Sequence, residues 1–160
     1  CQKFTESFHA INENFAVVFR ELFGGGSAKL ELTDPNNVLS SGIEIIVAPP
    51  GKLIKSLKSL SGGEQVFVAI AILFAIFKIN PPPFCLLDEI ESALDEVNVT
   101  RFANYAKNFC NNTQFITISH RRGTMEEADV LYGVTMQEKG VSSFLKVNID
   151  DVEKKTGIKL

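Results

Sequence analysis

The sequence predicts an α/β domain with a parallel-sheet core, on three observations. From Gly62 onward, helix-type and strand-type patterns alternate. Residues 64–78 are apolar on every side, as a helix buried on most sides would be. Short apolar runs at residues 84–87 and 115–119 are of the kind that a parallel sheet buries on both faces. The 160 residues suffice for one domain with a core, and 45% hydrophobic with 22% charged residues is a globular composition.

The elements follow in order. Phe4, Phe8, Ile11, Phe15, Val18 and Leu22 are spaced alternately by four and three residues. That is the period of a coiled-coil seam, which needs a second helix to cover it. An amphipathic helix lying on its own domain gives the same pattern over so short a stretch, and the spacing leaves both open. Gly24, Gly25 and Gly26 stop this helix. Residues 29–33 and 43–48 read as strands, with turn chemistry at 34–37 and 49–51. Pro81, Pro82 and Pro83 end the apolar helix. Val99, Phe102, Ala103, Ala106, Phe109 and Cys110 recur at helical spacing. Thr124 with Glu127 fits a capping box that starts a short helix through Ala128. Residues 131–137 and 141–147 flank Lys139-Gly140 and read as a closing hairpin, and the tail after Asp150 is expected to be poorly ordered or partner-dependent.

A net charge of −3 gives no global electrostatic reason to bind nucleic acid, so any DNA contact needs a local patch or a partner. Cys1, Cys85 and Cys110 form no CxxC pair and read as free thiols in a reducing cytosol. The longest apolar run, residues 66–77, is short for a bilayer span and reads as a buried helix, and no signal peptide is visible. The expectation is a soluble intracellular chain.

The chemistry starts at Phe84-Cys85-Leu86-Leu87-Asp88-Glu89. A buried strand that delivers two carboxylates at its C-terminal end places them where open α/β sheets bind ligands. An Asp there can help to hold Mg²⁺ on phosphate oxygens, and a neighbouring carboxylate can polarise an attacking water. Two acids capping the next helix are the plain alternative. Leu60-Ser61-Gly62-Gly63-Glu64 directly precedes the buried helix, where exposed N–H groups and the helix dipole favour an anion. Such a glycine pair is commonly only a loop. Ser92-Ala93-Leu94-Asp95 lies a few residues beyond the acid pair, and His120 ends the following strand at the same sheet edge. There its imidazole could donate to a phosphate oxygen. Arg121 and Arg122 follow, either as phosphate contacts or, more simply, as surface arginines in a loop.

In this order and spacing, LSGGE, FCLLDE, SALD and a strand ending in His resemble the signature, Walker B, D-loop and switch histidine of the ATP-binding-cassette (ABC) superfamily. Within it, residues 60–147 look most like the heads of prokaryotic SMC (structural maintenance of chromosomes) proteins. The resemblance is carried by Pro83-Phe84-Cys85-Leu86-Leu87-Asp88-Glu89 and Arg122-Gly123-Thr124-Met125-Glu126-Glu127-Ala128-Asp129, and extends back through Gly51-Lys52 to the first helix. Two positions depart from it. SMC signatures usually carry Arg or Lys where Gln65 stands, and Ser119 replaces a frequent Thr while keeping the hydroxyl.

No Gly followed five positions later by Gly-Lys and a hydroxyl residue occurs, so the chain has no phosphate-binding loop. SMC heads carry that loop in a separate N-terminal half, and the resemblance implies a fragment or one chain of a split head. The expected fold is thus the C-terminal lobe of an ABC-type P-loop ATPase head. Residues 1–23 would be the root of a coiled-coil arm, 24–150 the lobe and 151–160 a tail. The resemblance further implies ATP sandwiched between two heads. Asp88 would hold Mg²⁺ through water, Glu89 would act as the catalytic carboxylate, and His120 would sense the γ-phosphate. Ser61, Gly62, Gly63 and Glu64 would reach ATP held by the opposite head, and Asp95 would line the dimer interface. The implied partners are the N-terminal lobe, a second identical head, a kleisin subunit near residues 131–147, and DNA. The implied setting is the cytoplasm, at the nucleoid. Two alternatives are a coiled-coil DNA-repair ATPase of the same superfamily and a non-catalytic half-head that scaffolds a kleisin-like partner.

Overall fold

A computed structural model describes residues 2–53, 55–111 and 113–148, so Cys1, the expected domain limit at Asp150 and the tail lie outside the described residues. Helix α1 (Gln2–Phe23) buries Phe8, Phe15, Val18 and Leu22 of the heptad pattern, and Phe19 and Phe23 besides. It packs on helix α2 (Gly62–Ile79) and strand β1 (Ser27–Leu32). From Phe8 onward the pattern therefore serves the chain's own core. Phe4 is left exposed, stacked on Phe8 with ring centroids 6.3 Å apart.

Strand β1 pairs antiparallel with β2 (Ile43–Ala48), which pairs with the short β3 (Lys55–Ser56). Gly26 opens this sheet with φ +82, and a Cβ there would lie 2.3 Å from the Ala48 carbonyl oxygen. Only glycine satisfies both conditions. Phe19 and Phe23 stack with centroids 4.1 Å apart, and Phe23 meets Phe67 of α2 at 4.7 Å. Phe74, one α2 turn pair further on, is ringed by Phe102, Tyr105, Phe109 and Phe115. Aromatic offset and edge contacts of this kind add to simple area burial.

Helix α2 has 18 residues and by length and composition alone could cross a membrane, a longer apolar element than the 66–77 run suggests. Phe67, Val68, Ile70, Ala71, Phe74 and Ala75 are buried against the core, while Ile76 and Ile79 are exposed. That is the packing of a core helix with part of its surface uncovered.

Strand β4 (Phe84–Asp88) runs parallel to β5 (Gln114–Ile118), joined through helix α3 (Glu96–Phe109). Parallel pairing across a helix is the expected α/β unit. The burial differs from expectation. Leu87 is buried, and Cys85 and Phe115 pack on the core, yet Phe84, Leu86, Ile116 and Ile118 are 63, 59, 48 and 50% exposed. These are not strands buried on both faces. Among the described residues the parallel sheet has two strands and one covering layer, so the second apolar face has nothing over it.

Helix α4 (Arg122–Glu126) begins two residues before the predicted cap, and its N-cap residue Arg121 makes no side-chain capping bond. The Thr124 hydroxyl donates instead to Glu91 Oε1 at 3.1 Å, which removes it from any capping box with Glu127. Strands β6 (Val130–Glu138) and β7 (Val141–Asn148) form the closing hairpin around Gly140 at φ +85.

Candidate functional site

The C-terminal ends of β4 and β5 lie side by side because Asp88 pairs with Ile118 in the parallel register. Glu89 leaves the strand with φ 48, the one positive value at a non-glycine among the described residues, and its N–H donates to the Ile118 carbonyl at 3.0 Å. A left-handed backbone at a glutamate is unfavourable and persists where the surroundings enforce it. The turn brings Glu89 Oε1 to 3.5 Å from His120 Nδ1, with both side chains more than half exposed. Asp88 beside them is exposed. Three polar groups predicted from two separate motifs, Asp88 and Glu89 from one and His120 from the other, thus lie at one sheet edge, open to solvent.

The glycine-rich loop is a second cluster. Ser61 is the N-cap of α2 in a complete capping box with Glu64. The Glu64 N–H donates to Ser61 Oγ at 3.3 Å, while the Ser61 N–H and O–H donate to Glu64 Oε2 at 3.1 and 3.0 Å. The Lys52 ammonium reaches Glu64 Oε1 at 2.6 Å. Hydrogen bonding from Lys52 holds the Glu64 carboxyl below its usual range; burial opposes this, and the Ser61 donors add to it. A Cβ on Gly63 would lie 2.8 Å from the Ala93 carbonyl oxygen, so glycine lets this helix start sit directly against the SALD turn. Gly62 faces open space. Asp95, at the end of that turn, caps α3 by accepting from the Asn98 N–H at 2.8 Å.

The RecF/RecN/SMC N-terminal domain family matches residues 3–143 of the chain. The chain belongs to this family. It is 58% identical over 152 residues to the chromosome partition protein Smc of Bacillus subtilis, and 56% identical over 155 residues to that of Desulfitobacterium hafniense. Those matches cover 95 and 97% of the chain but 13% of each relative, so the chain spans about an eighth of their length. A solved SMC ATPase structure, described for ATP-driven dimerisation and DNA-stimulated activation, superposes with a TM-score of 0.86 at 39% identity. That match covers 98% of this chain and 94% of the other. The Smc head of Pyrococcus furiosus, bound to the C-terminal domain of ScpA, gives 0.85 at 41% identity, covering 94% of this chain and 37% of that one. The fold is that of SMC ATPase heads, as the sequence motifs imply.

The chemistry of Asp88, a solvent-facing hard-oxygen carboxylate, fits Mg²⁺. Mg²⁺ is commonly held by one or two carboxylates, with water and phosphate completing its shell.

Sequence reasoning missed Glu91. It is fully buried and accepts hydrogen bonds from Ser119 Oγ and Thr124 Oγ1, joining the turn after Glu89 to the segment that carries His120. Ser119 Oγ in turn accepts from the Arg121 N–H at 3.0 Å. The available signal was a third acid in Asp88-Glu89-Ile90-Glu91, which says nothing of burial or of its partners 28 and 33 residues downstream. Arg121 is also not the surface arginine expected. Its side chain is 19% exposed, with Nη2 on the Leu94 carbonyl at 3.0 Å and Glu96 Oε1 at 2.9 Å. Committed to these acceptors, it clamps the SALD turn. Arg122, 87% exposed and paired with Glu126, is a surface arginine.

Proposed function

We propose that this chain, completed by a lobe bearing a phosphate-binding loop, forms an SMC head that binds and hydrolyses ATP between two engaged heads. Hydrolysis would drive chromosome condensation and segregation. Asp88 would hold Mg²⁺ through water; the bound ion neutralises phosphate charge. Glu89 orients the attacking water and accepts its proton. His120, held beside Glu89, donates to a γ-phosphate oxygen. Ser61, Gly62, Gly63 and Glu64 form the surface that meets ATP carried by the opposite, identical head, and Asp95 lines the contact between heads.

The observation that carries this reading is the 3.5 Å approach of Glu89 Oε1 to His120 Nδ1 at the C-terminal edge of two parallel strands. The uncovered face of Phe84, Leu86, Ile116 and Ile118 supports a completing lobe, since parallel strands are normally covered on both sides. Exposed Phe4 at the far end of α1 supports an arm continuing from residues 1–23. The hairpin presents Tyr132, Val134, Met136 and Phe144, each at least 60% exposed, with Val134 directly opposite Phe144. That apolar face suits the C-terminal domain of a kleisin subunit, the kind of partner with which the related head is described. DNA, engaged through the arms and partners at the nucleoid in the cytoplasm, is the object acted on.

Ser61→Arg tests the arrangement. In a completed head it should leave ATP binding by one head almost unchanged and abolish ATP-dependent dimerisation, because a bulky cation fills the space facing the γ-phosphate. A large loss of affinity in the isolated mutant head would count against the between-heads role.

A further inference from the structure

We propose that Lys52 is a positioning residue for the signature loop, cancelling the charge of Glu64 so that Ser61 can meet the polyphosphate of the opposite head. The inference rests on the between-heads reading of Ser61. The Glu64 carboxylate lies 3.0 Å from Ser61 Oγ, within reach of any phosphate that Ser61 contacts. Two like charges at such a separation repel strongly in a partly desolvated site. Lys52 Nζ sits on the other carboxylate oxygen at 2.6 Å, and the pair is half-exposed on the lysine side and 20% exposed on the glutamate side. With neutral Gln65 donating to the Leu60 carbonyl at 3.0 Å, Lys52 is the only cation paired with Glu64 among the described residues.

Local geometry explains how Lys52 gets there. Its N–H closes a turn onto the Pro49 carbonyl at 3.0 Å, across Gly51 at φ +74. That turn ends β2 and delivers the lysine to the start of α2. The Ser61 hydroxyl now donates to Glu64 and must turn away to donate to a phosphate. When it does, Glu64 keeps the Ser61 N–H on Oε2 and Lys52 on Oε1, so the carboxylate stays partnered and neutralised.

The test uses heads completed with the phosphate-loop lobe and a non-hydrolysable ATP analogue, with dimerisation followed by light scattering and single-head nucleotide affinity measured separately. Lys52→Met should raise the analogue concentration for half-maximal dimerisation about tenfold while single-head affinity holds. Lys52→Met with Glu64→Gln should recover most of the dimerisation that Lys52→Met alone loses, because Gln keeps the cap without the charge. Lys52→Arg should behave as the unaltered head. A structural role for Lys52 would lower the unfolding temperature of Lys52→Met and leave dimerisation of the folded fraction untouched, which would overturn the proposal. Weakening that Glu64→Gln does not rescue would overturn it too, pointing to direct contact between Lys52 and phosphate. Ser61→Arg run alongside separates the two readings. If it abolishes dimerisation and Lys52→Met does not weaken it, the role of Lys52 falls alone; if Ser61→Arg has no effect, the between-heads reading falls with it.

Discussion

At the residue scale, Glu89 combines an unfavourable backbone with a chemically placed side chain. Replacing it with Gln in a completed head should preserve ATP binding, trap engaged dimers and lower turnover by about 10²–10⁴-fold, since Gln keeps the shape and cannot take a proton. Asp88→Asn should instead weaken the Mg²⁺-nucleotide complex. Nucleotide titration of both variants checks the assignment, and binding lost with Glu89→Gln but kept with Asp88→Asn would reverse it. Glu91 has a different task. Its buried carboxylate takes the hydroxyls of Ser119 and Thr124, and Glu91→Ala would leave both short of an acceptor. The expected loss is about 2–4 kcal/mol of unfolding free energy, read by urea denaturation, with Glu91→Gln losing less. Unchanged stability in the alanine variant would show that the two loops are held together by something else.

At the scale of elements, capping shows what the local sequence pattern left unread. Ser61 and Glu64 form a capping box immediately before an apolar helix, where the sequence reads only as an anion-favouring glycine loop. Thr124 and Glu127 have the same spacing, yet Thr124 turns to Glu91, because a buried carboxylate is a stronger acceptor site than a local cap. That competition depends on a contact 33 residues away in sequence, which no local pattern contains. The Glu64 cap also carries a pH signature. Its folded pKa is depressed by Lys52, so its contribution is fully present above the ordinary value of 4.5 and is lost as pH falls through the lower folded value. Thermal unfolding of the chain and of Glu64→Gln should differ most at neutral pH and converge as pH drops below 4.5. A gap that stays constant with pH would assign the effect to shape alone. In the hairpin, Val134→Asp or Phe144→Asp should weaken binding of a kleisin C-terminal domain at least about tenfold, read by calorimetry, with little change in unfolding temperature because both side chains already face solvent.

At the scale of the whole molecule, helix and strand order and the position of the acid pair could be read from periodicity and punctuation. Burial could not. The runs at 84–87 and 115–119 have the composition of strands covered on both sides, whereas the described residues cover one side only, a difference that the proposed completing lobe would account for. The heptads of α1 were ambiguous for a related reason, since the same spacing serves a coiled coil and a helix on its own core. The first point bears on the proposed split between lobes. The most direct measurement is ATP turnover by the purified chain, alone and mixed with the matching phosphate-loop lobe. The chain alone should show no turnover above background, and the mixture should hydrolyse ATP in a manner abolished by Glu89→Gln. Robust turnover by the chain alone that disappears with Glu89→Gln would contradict the split-head reading.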